Sequence, residues 1–171
     1  MADAVGFEPF VRTHSDGLYR TAFLLTGSRP AAEDLLQDTL SALYPKWAQV
    51  SAADIPVAYV RRSLVNRFMS QRRAGWGRDV AMWDLPDRAD GRDLAEGVAL
   101  RGTLWQLLHS LPEKQRAAIV LRHFNDLPEA EIAAVLGCRP VTVRSLISRG
   151  LATMRGRMTD ADATAQMGTN R

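Results

Sequence analysis

Apolar side chains recur at steps of three and four along almost the whole chain. No run alternates apolar and polar residues for long enough to make a strand. Phe7, Phe10, Val11, His14, Leu18, Ala22 and Leu25 form one stripe. Ala32, Leu35, Leu36, Thr39, Leu40, Leu43 and Trp47 form a second, and Val57, Val60, Leu64 and Phe68 a third. Gly27-Ser28-Arg29-Pro30 separates the first two helices, Pro45 lies near the end of the second, and Pro56 opens the third. Three such stripes can close on one shared core.

From Ala74 to about Gly97 the periodicity fails. Gly75, Gly77, Pro86 and Gly91 are interspersed with Asp79, Asp84, Asp87 and Asp90, the composition of an acidic, mobile linker. Trp76, Met82 and Trp83 are unusual there; they either dock on a neighbouring domain or shield a local patch. Beyond it Leu100, Leu104, Leu107, Leu108 and Leu111 make a new stripe. Ser110-Leu111-Pro112-Glu113 has the spacing of a capping box and introduces a helix carrying Ala117, Val120, Leu121 and Phe124. A short helix from about Pro128 to Leu136 ends at Gly137, and Pro140 starts another with Val143, Ile147, Gly150 and Met154 inward. After Met158 the chain turns polar and is expected to fray. The expected architecture is all-α: two small helical domains, 1–74 and 99–158, joined by a flexible linker over 75–98 and followed by a disordered tail, 159–171.

The net charge of +3 conceals an uneven distribution. Residues 1–54 carry net −3 and 79–138 net −4, whereas 55–78 hold six arginines and 139–159 five, neither block with an acid. Two basic blocks in an otherwise acidic chain indicate two contacts with a polyanion.

The second block contains the anatomy of a helix-turn-helix: Glu129 to Leu136, the Gly137 turn, then Val143 and Ile147 locking the following helix to the first. In such units the second helix lies in the DNA major groove. At about 100° per residue, Arg144, Ser145, Ser148 and Arg149 face away from the apolar stripe. The competing reading is a plain helical hairpin with a solvated arginine face. In the first block Tyr59, Arg62, Asn66, Ser70 and Arg73 share the face opposite Val60, Leu64 and Phe68. An aromatic, arginines and an amide suit phosphates and unpaired bases, although an ordinary solvated helix presents similar residues. On the second helix Asp34, Gln37, Asp38 and Ser41 form one polar face. By itself this reads as a solvated surface with acids near a helix N-terminus.

Signatures of catalysis are missing. His14, His109 and His123 are isolated, and there is no G-x-x-x-x-G-K, H-E-x-x-H or G-x-S-x-G. The one cysteine, Cys138, excludes an internal disulfide and a cysteine-based zinc site. The expectation is a protein that is not an enzyme, with no cofactor and no metal. Asp3 and Glu8 stand where a signal peptide would be apolar, and no stretch approaches a membrane span, so a cytoplasmic location is expected.

In this order the elements resemble bacterial sigma-70-type initiation factors in their short, two-domain extracytoplasmic-function form. Glu33-Asp34-Leu35-Leu36-Gln37-Asp38 is similar to that family's polymerase-binding helix, and Tyr59-Val60-Arg61-Arg62-Ser63-Leu64-Val65-Asn66-Arg67 to its promoter-melting helix. Leu111-Pro112-Glu113-Lys114-Gln115-Arg116 and Leu121-Arg122-His123-Phe124 resemble the entry to its C-terminal domain. Glu131-Ile132-Ala133, Leu136-Gly137 and Thr142-Val143-Arg144-Ser145 resemble its helix-turn-helix. The likeness covers roughly 6–74 and 100–157, and is nearest to an actinobacterial sigma-E-like group. The chain departs from the family pattern at Arg139, Val141 and Leu146.

The resemblance implies that Asp34, Gln37, Asp38 and Ser41 dock on core RNA polymerase, whose β′ and β subunits would be the partners. It implies that Tyr59, Arg62, Asn66 and Arg73 hold the melted minus-ten strand, together with the loop from about Trp47 to Pro56. Thr142, Arg144, Ser145, Ser148 and Arg149 would read the minus-thirty-five duplex of promoter DNA. An anti-sigma protein is a further candidate partner. A stand-alone helix-turn-helix regulator of duplex DNA is the alternative, but it would need neither the α-helical Asp34/Gln37/Asp38 face nor the first basic block.

Overall fold

The computed structural model describes residues 6–73 and 95–168. Every regular element among them is helical, and the chain divides into two compact units. The first contains α1 (Phe7–Thr26), α2 (Arg29–Leu43), a single 3-10 turn (Tyr44–Lys46), α3 (Trp47–Ser51) and α4 (Pro56–Arg73). The second contains α5 (Ala95–His109), α6 (Glu113–His123), α7 (Glu129–Leu136) up to Ala134, and α8 (Pro140–Gly168).

In the first unit the chain reverses at Gly27-Ser28. The Gly27 N–H donates to the Phe23 carbonyl (2.9 Å), and the Ser28 hydroxyl accepts from the Ala31 N–H (3.3 Å) while Pro30 occupies the first turn of α2. The three long helices pack on one another through Leu18, Ala22 and Leu25 of α1, Ala32, Leu35 and Leu43 of α2, and Val60, Leu64, Val65 and Phe68 of α4, all buried. Thr21, Thr26 and Thr39 are also buried. Each hydroxyl donates to the carbonyl four residues back, Gly17 (3.1 Å), Ala22 (2.9 Å) and Leu35 (2.7 Å), so threonine occupies core positions without an unmet donor. Pro45 ends α2, and α3 follows with Trp47 and Val50 turned inward. At five residues α3 is too short for periodicity to reveal. Trp47 anchors it, meeting the rings of Phe7 and Phe10 at 5.1 and 4.8 Å.

The second unit is built on α6, whose residues from Arg116 to Leu121 are all buried. Arg116 is only 5% exposed. Its Nε donates to the Leu108 carbonyl (3.3 Å) and its Nη2 to the carbonyls of His109 and Leu111 (both 3.1 Å). A cation thus closes the C-terminal end of α5, where unmet carbonyls and the helix dipole both favour positive charge. The capping box expected from Ser110 does not form. The Ser110 hydroxyl donates instead to the Leu107 carbonyl (2.6 Å), and Pro112 caps α6 with no side-chain bond. Ser110 still belongs to the closing turn of α5, where a carbonyl is nearer to it than the start of α6.

The turn between α7 and α8 is local in origin. Gly137 has φ 64°, and the Cys138 N–H reaches back to the Ala133 carbonyl (3.0 Å), the Schellman closure that glycine favours. Ile132 and Val143, one from each helix, are fully buried. A Cβ at 137 would meet nothing within 4 Å, so Gly137→Ala carries only the conformational cost. That cost is about 1–2 kcal/mol, and thermal denaturation should show it as a lower Tm without loss of the fold. At Gly150 the reason for glycine is space: a Cβ would sit 2.6 Å from Ile119 Cδ1 and 3.5 Å from Gln115 Cβ, so α8 lies against α6.

Two expected boundaries are corrected. α8 continues to Gly168, so residues 159–168 of the expected tail are helical. Ala161, Ala163 and Ala165 are strong helix formers and nothing before Gly168 breaks the helix. α5 begins at Ala95, inside the stretch assigned to the linker. The remaining linker residues, Trp76, Met82 and Trp83 included, lie outside the described residues.

Candidate partner and nucleic-acid interfaces

Burial of Ala32, Leu35, Thr39 and Leu43 turns the other side of α2 outward, and Asp34, Gln37, Asp38 and Ser41 are all exposed on it. The two acids are not equivalent. Asp38 accepts a hydrogen bond from Gln71 Nε2 (3.3 Å) and lies 3.8 Å from Arg67 Nη1, so it joins α2 to α4. Asp34 has no ion pair among the described residues and faces solvent. Beside it an apolar groove of about 560 Å³ runs between α1 and α2, with Phe7, Val11, Tyr19, Leu36, Leu40 and Tyr44 along its walls and Gln37 and Ser41 at its edge. Leu36 and Leu40 have the spacing of core positions, yet they are half-buried and line this groove.

On α4, packing of Val60, Leu64 and Phe68 leaves Arg62 and Asn66 exposed on the opposite face, with Tyr59 half-buried between them and the helix start. Arg73 closes α4, and its side chain lies outside the described residues. Arg67 turns instead toward Asp38. Of the residues expected on the nucleic-acid face of α4, Arg62, Asn66 and Ser70 are exposed.

On α8, Val143 faces the core, and the outer face carries Arg144, Ser148 and Arg149, all exposed, with Thr142 and Ser145 half-buried. The Ser145 hydroxyl donates to the Val141 carbonyl (3.2 Å). Arg139, Arg155 and Arg157 extend the exposed positive charge along the same helix and its approach. Two residues that sequence reasoning did not assign belong to this face. Val141, 56% exposed, stands one turn before Arg144. Glu129, in the first turn of α7, accepts a hydrogen bond from Arg144 Nε at 2.6 Å. That hydrogen bond, and then the carboxylate charge, raise the Arg144 pKa above its ordinary value, so the guanidinium is fully charged. Spacing along the chain could not reveal this pair, which depends on how α7 crosses α8. Among the described residues no cluster of three or more metal-ligating side chains occurs, and no helix is long and apolar enough to cross a membrane.

The described residues thus present a polar α2 face, an outward arginine–asparagine face on α4 and a helix-turn-helix with a cationic outer helix. Residues 10–78 match the sequence pattern of sigma-70 region 2, and residues 101–154 that of sigma-70, region 4. The chain is 34% identical to the RNA polymerase sigma-E factor of Streptomyces coelicolor over 97% of its own length and 93% of that protein. It is 33% identical to the ECF RNA polymerase sigma factor SigE of Mycolicibacterium smegmatis over 87% of its length and 60% of that protein. Its fold matches the sigma factor RpoE of Bartonella quintana, solved in complex with the anti-sigma factor NepR, with a TM-score of 0.71 and 26% identity over 90% of this chain and 96% of that one. The chain belongs to the sigma-70 family of RNA polymerase sigma factors, and acts in the initiation of transcription.

Proposed function

We propose that this chain docks on core RNA polymerase through the outer face of α2 and positions it on promoter DNA through α4 and α8. The observation that carries the division of labour is that two exposed arginine-bearing faces sit on separate helical units, while the polar α2 surface beside an apolar groove suits a protein partner. In this reading the first unit, within 1–74, binds polymerase and holds melted strand, and the second, within 99–158, binds duplex. Asp34, Gln37, Asp38 and Ser41 meet the polymerase. Tyr59, Arg62, Asn66 and Arg73 hold unpaired bases at the minus-ten region, and Thr142, Arg144, Ser145, Ser148 and Arg149 engage the minus-thirty-five duplex. The chain carries no chemistry of its own and works in the cytoplasm, where its partners are. The likeness to RpoE, which NepR binds, supports an anti-sigma protein as a further partner. A stand-alone regulator would leave the region 2 likeness over residues 10–78 without a use.

Asp34 tests the polymerase surface most cleanly, because Asp38→Arg would also place a second cation against Arg67. Asp34→Arg should weaken binding to core polymerase by about tenfold, the effect of about 1.4 kcal/mol at a contact. Far-UV circular dichroism should not change, since Asp34 is exposed. Equal affinity of variant and parent in a core pull-down would remove α2 from the interface, and absence of promoter-specific transcripts from the parent with core polymerase would remove the whole proposal.

A further inference from the structure

We infer that Glu129 is a positioning residue for promoter reading: it grips Arg144 by Nε so that the terminal amino groups of the guanidinium face a guanine edge. The inference rests on the reading that the outer face of α8 enters the major groove. The Glu129 Oε2 to Arg144 Nε distance is 2.6 Å, and the two side chains are 34% and 68% exposed respectively. The contact therefore involves the inner nitrogen of the guanidinium, not its tip. An arginine has five N–H donors in a planar fork. With Nε engaged by Glu129, Nη1 and Nη2 remain as a pair at the solvent-facing end.

Three consequences follow from elementary chemistry. A free arginine side chain has several rotatable bonds, and ordering it on DNA costs conformational entropy. The carboxylate on α7 has already ordered this one, so each hydrogen bond to DNA costs less to form. The paired Nη1 and Nη2 match the O6 and N7 acceptors of guanine, the commonest specific arginine contact in the major groove. Finally, the Glu129 charge lies behind the arginine and repels phosphate, so an arginine so held favours a base edge over the backbone. Val141, Ser145 and Ser148 share this face at steps of three and four, which places Arg144 centrally on it.

The test uses the full chain assembled with core polymerase on a promoter pool randomised across the minus-thirty-five duplex. Sequencing bound DNA identifies the base pair whose guanine preference Arg144→Ala abolishes. At that position the parent should prefer guanine by about 5–150-fold, the range of a bidentate pair worth 1–3 kcal/mol. Glu129→Ala should cut this preference to a few-fold while leaving affinity for sites lacking the guanine equal or higher. Glu129→Gln keeps an oxygen acceptor for Nε and should retain most of the preference. In the Arg144→Ala background Glu129→Ala should have no effect on it. Thermal melting confirms that each variant is folded. If Glu129→Ala tightens binding to every sequence and keeps the preference, Glu129 is a simple electrostatic brake and the inference fails. If the variant weakens all sequences equally, Arg144 clamps phosphate, and the inference fails in that way. If Arg144→Ala changes no base preference while Arg149→Ala weakens binding, the groove-facing reading of α8 survives and the assignment of Glu129 does not. If neither arginine affects DNA binding, the reading of α8 itself is overturned, and the inference with it.

Discussion

Replacing Arg116 by methionine should destabilise the second helical unit by about 2–6 kcal/mol, the cost of leaving two buried carbonyls without a partner. Methionine fills similar volume, so poorer packing is a small part of the effect. The larger part comes from the carbonyls of His109 and Leu111, which would lose the guanidinium, whereas the Leu108 carbonyl keeps the Leu111 N–H (3.3 Å). Each buried group left unsatisfied costs roughly 1–3 kcal/mol. A small domain has a total stability of about 5–15 kcal/mol, so the loss is a large fraction of what holds the unit folded. Arg116→Lys should recover only part of the stability, because a single ammonium cannot span acceptors spread over a helix end and the turn beyond it. The α6 face that supports α8 depends on the same corner, so duplex binding should fall with stability. Urea unfolding followed by circular dichroism is the measurement. A transition indistinguishable from the parent would show that the carbonyls find water instead, and that Arg116 is not the cap of α5.

The two basic faces should fail in different ways. Arg144 and Arg149 stand on the outer face of α8, and their joint replacement by alanine should weaken binding to a duplex promoter. Removing each arginine–phosphate pairing should also reduce the salt slope by about one unit. Arg62 and Asn66 are exposed on α4, on the helix proposed to hold melted strand. Replacing both should spare duplex binding by the second unit and impair opening. Each hydrogen bond involving a charged group is worth about 1.5–3 kcal/mol, so open-complex formation should fall by at least tenfold. A heteroduplex already unpaired across the minus-ten region should restore much of the Arg62/Asn66 activity and little of the Arg144/Arg149 activity. The opening energy is then supplied by the template, whereas the duplex contact is still missing. Equal rescue of both variants would mean that the two faces share one general electrostatic role.

Much of this organisation is legible without coordinates. The stripes of apolar residues, the breakers at Gly27 to Pro30 and Pro56, and the Gly137–Pro140 turn are local features. They act through backbone preferences and burial of the nearest face, and the helices form where those features place them. The charge blocks are equally local, and the arginines of the second lie on a helix whose outer face is exposed. Local pattern misleads where two outcomes share one spacing. Leu36 and Leu40 continue the stripe of Leu35 and Leu43, yet they line a groove, because α1 covers only part of that side of α2. Ser110 has the spacing of a cap and bonds backward to α5.

By itself, then, the sequence determined the all-helical class, the two units and which helices carry positive charge, since each follows from residues within a few turns of one another. Only the tertiary structure decided which charges remain available. Arg116 is buried as a cap, Arg67 is turned to Asp38, and Arg144 is held at Nε by Glu129 with its side chain still exposed, whereas Arg62 and Arg149 are exposed with no ion pair among the described residues. Those fates depend on which helix crosses which and at what register. Ion pairs and hydrogen bonds act over a few ångströms between groups distant in the chain, and only packing brings such groups within reach.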